Sequence, residues 1–341
     1  LAEIFHLDEI AKDLQVDTLV INFRDSLVDA GNTCQTINAT VETLEGESIG
    51  RFNSDLLYDY RAQRPIVTYG DGRLRDILMP EMILALCTDV HGKNFLYLTG
   101  EEPDFRWNEI ASTIVKIVKH FNVQTTFSFA AMPAPVPHTR PVDMLIRSTK
   151  PDGQYPVVKG MAQHHGELTD VFEFKAEEEG LAVVNIRVRV PFYLARGDDP
   201  FFAGALAAVK MLATCGGPTF PLGDLEQLED AQRKAISQLQ LEGSDFAEVL
   251  AKLEEDYDTS GVGYITNDDA TPTIPSSEEI GDAVEQFLAL QNSSPLDLLN
   301  KPKQDNHVPK DPTLFDLSSR HADSDHEQRQ DGAHDGEETE E

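Results

Sequence analysis

The chain has 341 residues, 40% of them apolar and 26% charged, which suits a globular protein with one large domain and an annex, or two domains. Its 28 basic side chains against 60 acidic ones give a formal net charge of −32, which excludes the phosphate neutralisation that nucleic-acid binding depends on. No apolar run approaches the roughly 20 residues that cross a bilayer, so neither nucleic acid nor membrane is an expected partner.

The start, Leu1 to Ile4, has neither a basic nor a long apolar leader region. Cys34, Cys87 and Cys215 lie far apart and are odd in number, as small buried side chains would be rather than a disulfide framework. A reducing cytoplasm is the expected compartment.

Asp8 to Leu14 leads into Thr18 to Phe23, a short β-rich run that reads as a buried strand. It ends in a polar loop holding Asp25, Asp29 and Asn32, and a helix is predicted from Thr33 towards Leu44. Glu47 to Phe52 reads as a strand and Leu56 to Ala62 as a short helix. Pro65 to Tyr69 reads as a further strand, closed by Gly70-Asp71-Gly72. Met82 to Thr88 and Asn94 to Leu98 are separated by a spacer with a glycine, which predicts a hairpin and an antiparallel part of the sheet. A protruding hairpin would leave Ile83, Leu84, Phe95 or Leu96 partly uncovered, unless another subunit or the C-terminal helices covered them.

The most informative stretch is Asn94 to Pro141. A strand stops at Gly100 and gives way to Glu101-Glu102-Pro103-Asp104. A helix follows, its buried face marked by Trp107, Ile110, Ala111, Ile114, Val115, Val118 and Phe121. A second strand, Val123 to Ala131, opens into a proline-crowded loop with His138, Thr139 and Arg140. Strand, helix, strand predicts a crossover in a parallel sheet, with both polar loops at its carboxyl edge, where open α/β folds bind ligands. Asp29, Asn32, Glu101, Glu102, Asp104, Arg106, His138, Thr139 and Arg140 are therefore the candidate carboxyl-edge site. The loops at 101–106 and 133–141 are expected to touch. Arg106 and Arg140 would bind an anion or pair with the loop carboxylates, and Glu101 and Glu102 also suit a helix dipole.

Asp143 to Ser148 reads as a strand, Glu167 to Glu178 as a helix and Leu181 to Val190 as an alternating strand. Asp199 and Pro200 suit the N-cap and first residue of an Ala- and Gly-rich helix from Phe201 to Ala213. Three amphipathic helices follow. The first carries Leu225, Leu228, Ala231, Ala235, Ile236 and Leu239, the second Phe246, Val249, Leu250, Leu253 and Tyr257, and the third Ile280, Ala283, Val284, Phe287 and Leu288. The expected layout is an α/β core over 1–222, a helical segment over 223–291, and a disordered acidic tail over 292–341 that folding does not need. No phosphate loop, nucleophile elbow or zinc spacing occurs, and the adjacent His164 and His165 point apart. No catalytic, cofactor or metal residue is assigned.

Four segments together carry a resemblance: Gly100 to Trp107, Val136 to Pro141, Val190 to Ala195 and Leu253 to Asp258, with Val28 to Asn32 in support. They resemble the actinobacterial branch of the PAC2 family, the proteasome-assembly-chaperone-like proteins, over about Leu19 to Leu290. The resemblance implies a mixed, largely parallel sheet flanked by helices, similar to the phosphorylase/hydrolase-like fold, with a helical C-terminal segment. It also implies a homo-oligomer, a trimer being one candidate, with proteasome-related partners, no cofactor and no established catalytic activity. Archaeal members dock through a hydrophobic-Tyr-any-residue tail, which Glu338-Thr339-Glu340-Glu341 does not match. The leading expectation is a non-enzymatic binding protein. The rival is an enzyme or small-molecule binder of the phosphorylase/hydrolase-like class that uses the carboxyl-edge loops.

Overall fold

Strand by strand, apolar alternation decides how the centre of the molecule is built. The computed structural model describes residues 4–24, 29–44, 46–150, 165–196, 199–240 and 244–260. Its strands are β1 (Phe5–Leu7), β2 (Thr18–Arg24), β3 (Gly46–Phe52), β4 (Ile66–Gly70), β5 (Arg73–Leu78), β6 (Met82–Thr88), β7 (Asn94–Glu101), β8 (Thr125–Ala134), β9 (Met144–Ser148) and β10 (Val183–Pro191). Its helices are α1 (Thr33–Val41), α2 (Ser54–Leu57), α3 (Trp107–His120), α4 (Leu168–Glu178), α5 (Phe202–Thr214), α6 (Leu225–Gln240) and α7 (Ser244–Ser260).

Eight strands form one mixed sheet in the order β1-β3-β6-β7-β2-β8-β10-β9. Its core, β7-β2-β8-β10, is parallel, and antiparallel strands complete both sides. Leu19, Ile21 and Phe23 of β2 face one layer, packed with α3 and α4, while Val20 faces the other, packed with α1 and α5. Both faces are covered, as a parallel core requires. In α3 the buried residues Ile110, Ile114, Ile117 and Val118 recur at helical spacing, and burying each such side chain contributes about 1.5–3 kcal/mol. The helix stops where Asn122 turns left-handed, with φ 56°.

The β7-α3-β8 crossover, the β6–β7 hairpin and the parallel core match the expected fold. Four local expectations do not hold. The helix expected over Leu56 to Ala62 is one turn, Ser54–Leu57, capped when the Asn53 side chain accepts from the Asp55 N–H at 3.2 Å. Gly70-Asp71-Gly72 closes β4 as expected, and the turn leads into β5, an unexpected strand that pairs with β4 antiparallel outside the main sheet. The β6–β7 hairpin does not protrude, because β3 flanks it on one side and β2 on the other. Leu84 and Leu96 are buried in the layer of α3 and α4, and Ile83 and Phe95 in that of α1 and α5.

Asp199 and Pro200 do not start α5, whose cap is Phe201. Gln232 of α6 does part of that work instead, accepting from the Phe202 N–H at 3.2 Å and donating to the Pro200 carbonyl at 2.6 Å. Finally, Leu228 is exposed; α6 packs through Leu225, Gln232 and Ile236. The expected helix around Phe287 and the acidic tail lie outside the described residues, as do Asp25 and His164.

Candidate functional site

The loops after β2, β7, β8 and β10 all leave the carboxyl edge of the parallel core. Asp29 stands where the first of these turns into α1, and its backbone bridges to Ala131 of β8. Its two carboxylate oxygens accept from the N–H groups of Cys34 (2.7 Å) and Gln35 (2.9 Å). Asp29 thus satisfies donors at the start of a helix, a stabilising place for negative charge. Asn32, the formal cap, is left-handed at φ 46° and its side chain does not cap the helix. Burial pushes the Asp29 carboxyl up to about 6, against the lowering effect of those same N–H bonds. Gly31, at φ 59°, lets the loop after β10 close on this turn. Its N–H donates to the Ala195 carbonyl and its carbonyl accepts from the Phe201 N–H at 2.7 Å.

Glu102 plays the matching part for α4, where its Oε1 accepts from the Leu168 N–H at 2.6 Å. Beside it, Arg187 on β10 bonds Glu167 (2.9 Å) and Asp170 (3.2 Å), and Arg147 on β9 bonds Asp170 and, at 2.7 Å, Glu173. The Arg187 side chain is only 5% exposed, so this network fixes α4 to the sheet from a low-dielectric site. Burial works against the Asp170 carboxylate, but Arg147 and Arg187 outweigh it and hold it below its ordinary value. Asp29, Cys34, Glu102, Glu167 and Thr169 line a cavity of about 20 Å³. That is room for about one water.

The rest of the 101–106 loop is bound locally. Glu101 pairs with Arg24 at 2.9 Å, and its carbonyl accepts from the Tyr58 hydroxyl at 2.8 Å. Asp104 accepts from the Asp59 N–H at 2.7 Å. Arg106 caps α3 in a left-handed conformation and pairs with Glu109 at 2.7 Å.

The proline-rich loop after β8 meets α7. Arg140 donates to Asp258 through Nε (2.8 Å) and Nη2 (2.7 Å), with Glu254 at 3.4 Å, and the Thr139 hydroxyl donates to Glu254. The Tyr257 hydroxyl donates to the Pro141 carbonyl at 2.8 Å. Below them, the Tyr193 hydroxyl accepts from the His138 backbone N–H at 2.9 Å and lies 2.7 Å from Nδ1. Burial pushes His138 down to about 4, with Glu254 opposing. Phe246 of α7 stacks edge-on to Tyr193 at 5.1 Å.

The candidate residues therefore fall into two assemblies. Asp29 and Glu102 share the small cavity at the starts of α1 and α4, while His138, Thr139 and Arg140 form the seat of α7. Arg140 pairs with α7, not with the loop carboxylates that sequence reasoning offered it. Sequence reasoning also missed Glu167, Asp170, Arg147 and Arg187. The one available signal was the outward alternation of Arg187 with apolar neighbours on β10, a position that is solvent-exposed on a sheet without a helix above it. Among the described residues no group of His, Cys, Asp and Glu has the arrangement of a metal site.

The PAC2 family model matches residues 24–240. Among solved structures, a protein of unknown function from Corynebacterium glutamicum is 25% identical with a TM-score of 0.70, covering 76% of this chain and 98% of its own. A protein of unknown function from Mycobacterium tuberculosis is 27% identical with a TM-score of 0.68, covering 76% and 90%. A proteasome-assembly chaperone homologue from M. tuberculosis shares the fold at 22% identity and a TM-score of 0.61, covering 70% and 99%. No curated protein matches the chain.

Proposed function

The chain belongs to the PAC2 family, and on that footing we propose that it is a non-enzymatic, self-associating binding protein, a chaperone-like factor linked to proteasome assembly. One observation carries the choice of binding over catalysis. The carboxyl-edge side chains are engaged in holding helices: Asp29 at α1, Glu102 at α4, and Thr139 and Arg140 at α7. The space left between Asp29 and Glu102 is about 20 Å³, far below the roughly 300 Å³ of a small-molecule pocket. The link to proteasomes rests on the family and on the description of the M. tuberculosis fold relative as a proteasome-assembly chaperone homologue. Self-association draws support from the β4–β5 hairpin, where Val67, Tyr69, Leu74 and Ile77 are each 44–71% exposed. Such an apolar patch on a two-stranded unit calls for a cover.

The test mixes the purified full chain with unassembled proteasome α and β subunits from the same organism and follows core formation on native gels. A complex with the subunits, or faster core formation, is expected. Neither one at micromolar concentration would overturn the proteasome link. The rival reading, a small-molecule enzyme, keeps one observation in its favour: a carboxyl group at Asp29 poised near neutrality at the edge of the sheet. Phosphorolysis or hydrolysis of a nucleoside panel that Asp29→Asn abolishes would establish it.

A further inference from the structure

We infer that the groove between α1 and α6 binds an extended segment of a partner protein, one that carries a basic side chain at one end and apolar side chains beside it. The inference deepens the binding reading above by naming a surface and the chemistry it accepts. Its test uses no proteasome subunit, so either reading can fail alone.

The groove has a volume of about 390 Å³, within the range of sites that hold a ligand. Its two walls differ. One is the outer face of α1, with Thr36, Thr40 and Thr43; the other is apolar, with Phe202, Leu222 and the exposed Leu228. The three threonine hydroxyls donate to carbonyls of their own segment, at 2.7, 2.8 and 2.8 Å. Having spent their hydrogens, they face the groove's occupant as acceptors. Asn32 and Gln35 add amides, which serve as either donor or acceptor.

Charge sharpens the choice. Among the described residues, Asp224 is the one charged group that lines the groove, and it is exposed. It also suits the dipole at the start of α6. Its acidic neighbours on that helix each have a cation, Glu226 with Lys210, Glu229 with Arg233 and Asp230 with Lys234. Asp224 has none among the described residues. An anionic occupant would meet this carboxylate and the threonine lone pairs, so the groove selects a cation that brings hydrogen-bond donors.

The shape selects a strand-like occupant. Glu226 pairs with Lys210 while Gln232 accepts from the Phe202 N–H, so α6 runs antiparallel to α5. Phe202 and Asp224 therefore stand at opposite ends of the groove. Lys210 follows Phe202 by two turns of α5, which puts those ends roughly 12 Å apart. An extended chain covers that distance in about four residues, and residues four apart in it point to the same side. A segment with its basic side chain at Asp224 and apolar ones at Leu228 and Phe202 thus fits both ends at once.

Fluorescence anisotropy with the full chain tests this. The probe is the labelled peptide Ser-Lys-Ser-Leu-Ser-Leu-Ser, compared with a counterpart that has Glu in place of Lys. In about 0.15 M salt, long-range attraction to the acidic chain is largely screened. The lysine peptide is expected to bind about tenfold more tightly than its counterpart. Asp224→Lys is expected to reverse that preference, and Leu228→Arg to weaken the lysine peptide about tenfold. Glu177 is exposed on α4, which packs in the opposite layer from α1. Glu177→Lys makes the same change of charge away from the groove and is expected to leave the preference intact. Circular dichroism checks folding, and Leu228→Arg carries the test if Asp224→Lys does not fold. No binding of the lysine peptide at about 1 mM, or an equal loss in Glu177→Lys, would overturn the groove as a binding site. Light scattering that shows a changed mass in either groove variant would assign the groove to a second copy. Displacement of the peptide by an equal concentration of n-hexylamine would assign it to a small cation. Both of those results would overturn the peptide.

Discussion

Arg140 clasps Asp258 with two parallel N–H donors, at 2.8 and 2.7 Å, across a separation of 118 residues. The geometry is the bidentate fork that guanidinium and carboxylate favour. Hydrogen bonding to Asp258 raises the Arg140 value and depresses that of Asp258 in turn. Both groups are in contact with water, so the pair fixes where α7 sits more than how stable the fold is. Arg140→Ala should leave the melting midpoint nearly unchanged while amide exchange in α7 rises severalfold, and added salt should reproduce part of that rise in the wild type. A variant whose α7 exchanges at the wild-type rate would show that Phe246, Leu250 and Leu253 hold the helix without the clasp.

Two titrating groups on the carboxyl edge, His138 by the clasp and Asp29 at α1, act with opposite sign. His138 has an ordinary value of 6.5 and a folded value of about 4. Between those pH values the unfolded chain binds a proton that the folded one does not, so acidification costs stability. Asp29 moves the other way, from 3.8 to about 6. In the folded chain it takes up a proton earlier than in the unfolded chain, so acidification from pH 6 to 4 adds stability. Each effect is at most about 3 kcal/mol. Relative to wild type, His138→Gln should gain stability as pH falls from 6.5 to 4, and Asp29→Asn should lose it over pH 6 to 4. Denaturant unfolding at several pH values reads both slopes. Parallel curves for the three proteins would refute the assignment.

How much of this the sequence disclosed depends on how local each cause was. Ile110, Ile114 and Val118 advertise α3 by their spacing alone, and Gly100 marks where β7 gives way to its loop. The cap of α5 could not be read that way, because Gln232 reaches the Phe202 N–H from 30 residues downstream. Glu102 caps α4 across 66 residues. Asp199 and Pro200 offered a sound local start for α5 that a tertiary contact displaced. The β6–β7 hairpin, expected to protrude, lies inside the sheet for a related reason. Whether an apolar run is covered depends on what packs on its two faces, and the helices over β6 and β7 come from separate parts of the chain. The alternating charges Arg73, Arg75 and Asp76 hid β5, since the bulge that sorts them from Leu74 and Ile77 is visible only in the pairing.

Arg187 offers a sharper test of the network on α4. Its guanidinium bonds Glu167 and Asp170 where little water reaches. Replacing it with Met leaves these carboxylates without their buried counter-charge, which should destabilise the fold by about 3–5 kcal/mol. The double change Arg187→Met with Glu167→Gln should recover part of that loss. Urea unfolding of the single and double variants checks both statements, and a loss below about 1 kcal/mol for Arg187→Met would mean that Arg147 neutralises the cluster unaided.

The tightest backbone approach in the sheet is at Gly100, and it sets the entry to the whole carboxyl-edge loop. The residue sits at φ 142°, and a Cβ there would lie 1.9 Å from the Glu81 carbonyl oxygen. Gly100 pairs with Met82 on one side and Phe23 on the other, so neither neighbour can retreat without breaking its own ladder. The carbonyl it accommodates accepts from the Glu101 N–H at 3.3 Å, which starts the turn that carries Glu101 to Arg24 and Glu102 to α4. Gly100→Ala should therefore cost more than the roughly 1 kcal/mol of an ordinary unfavourable glycine replacement. Because the strain falls between β6 and β7, it should also raise amide exchange at Met82 and Leu168 together. Soluble, wild-type-like protein with unchanged protection at Leu168 would show that the loop position does not depend on this contact.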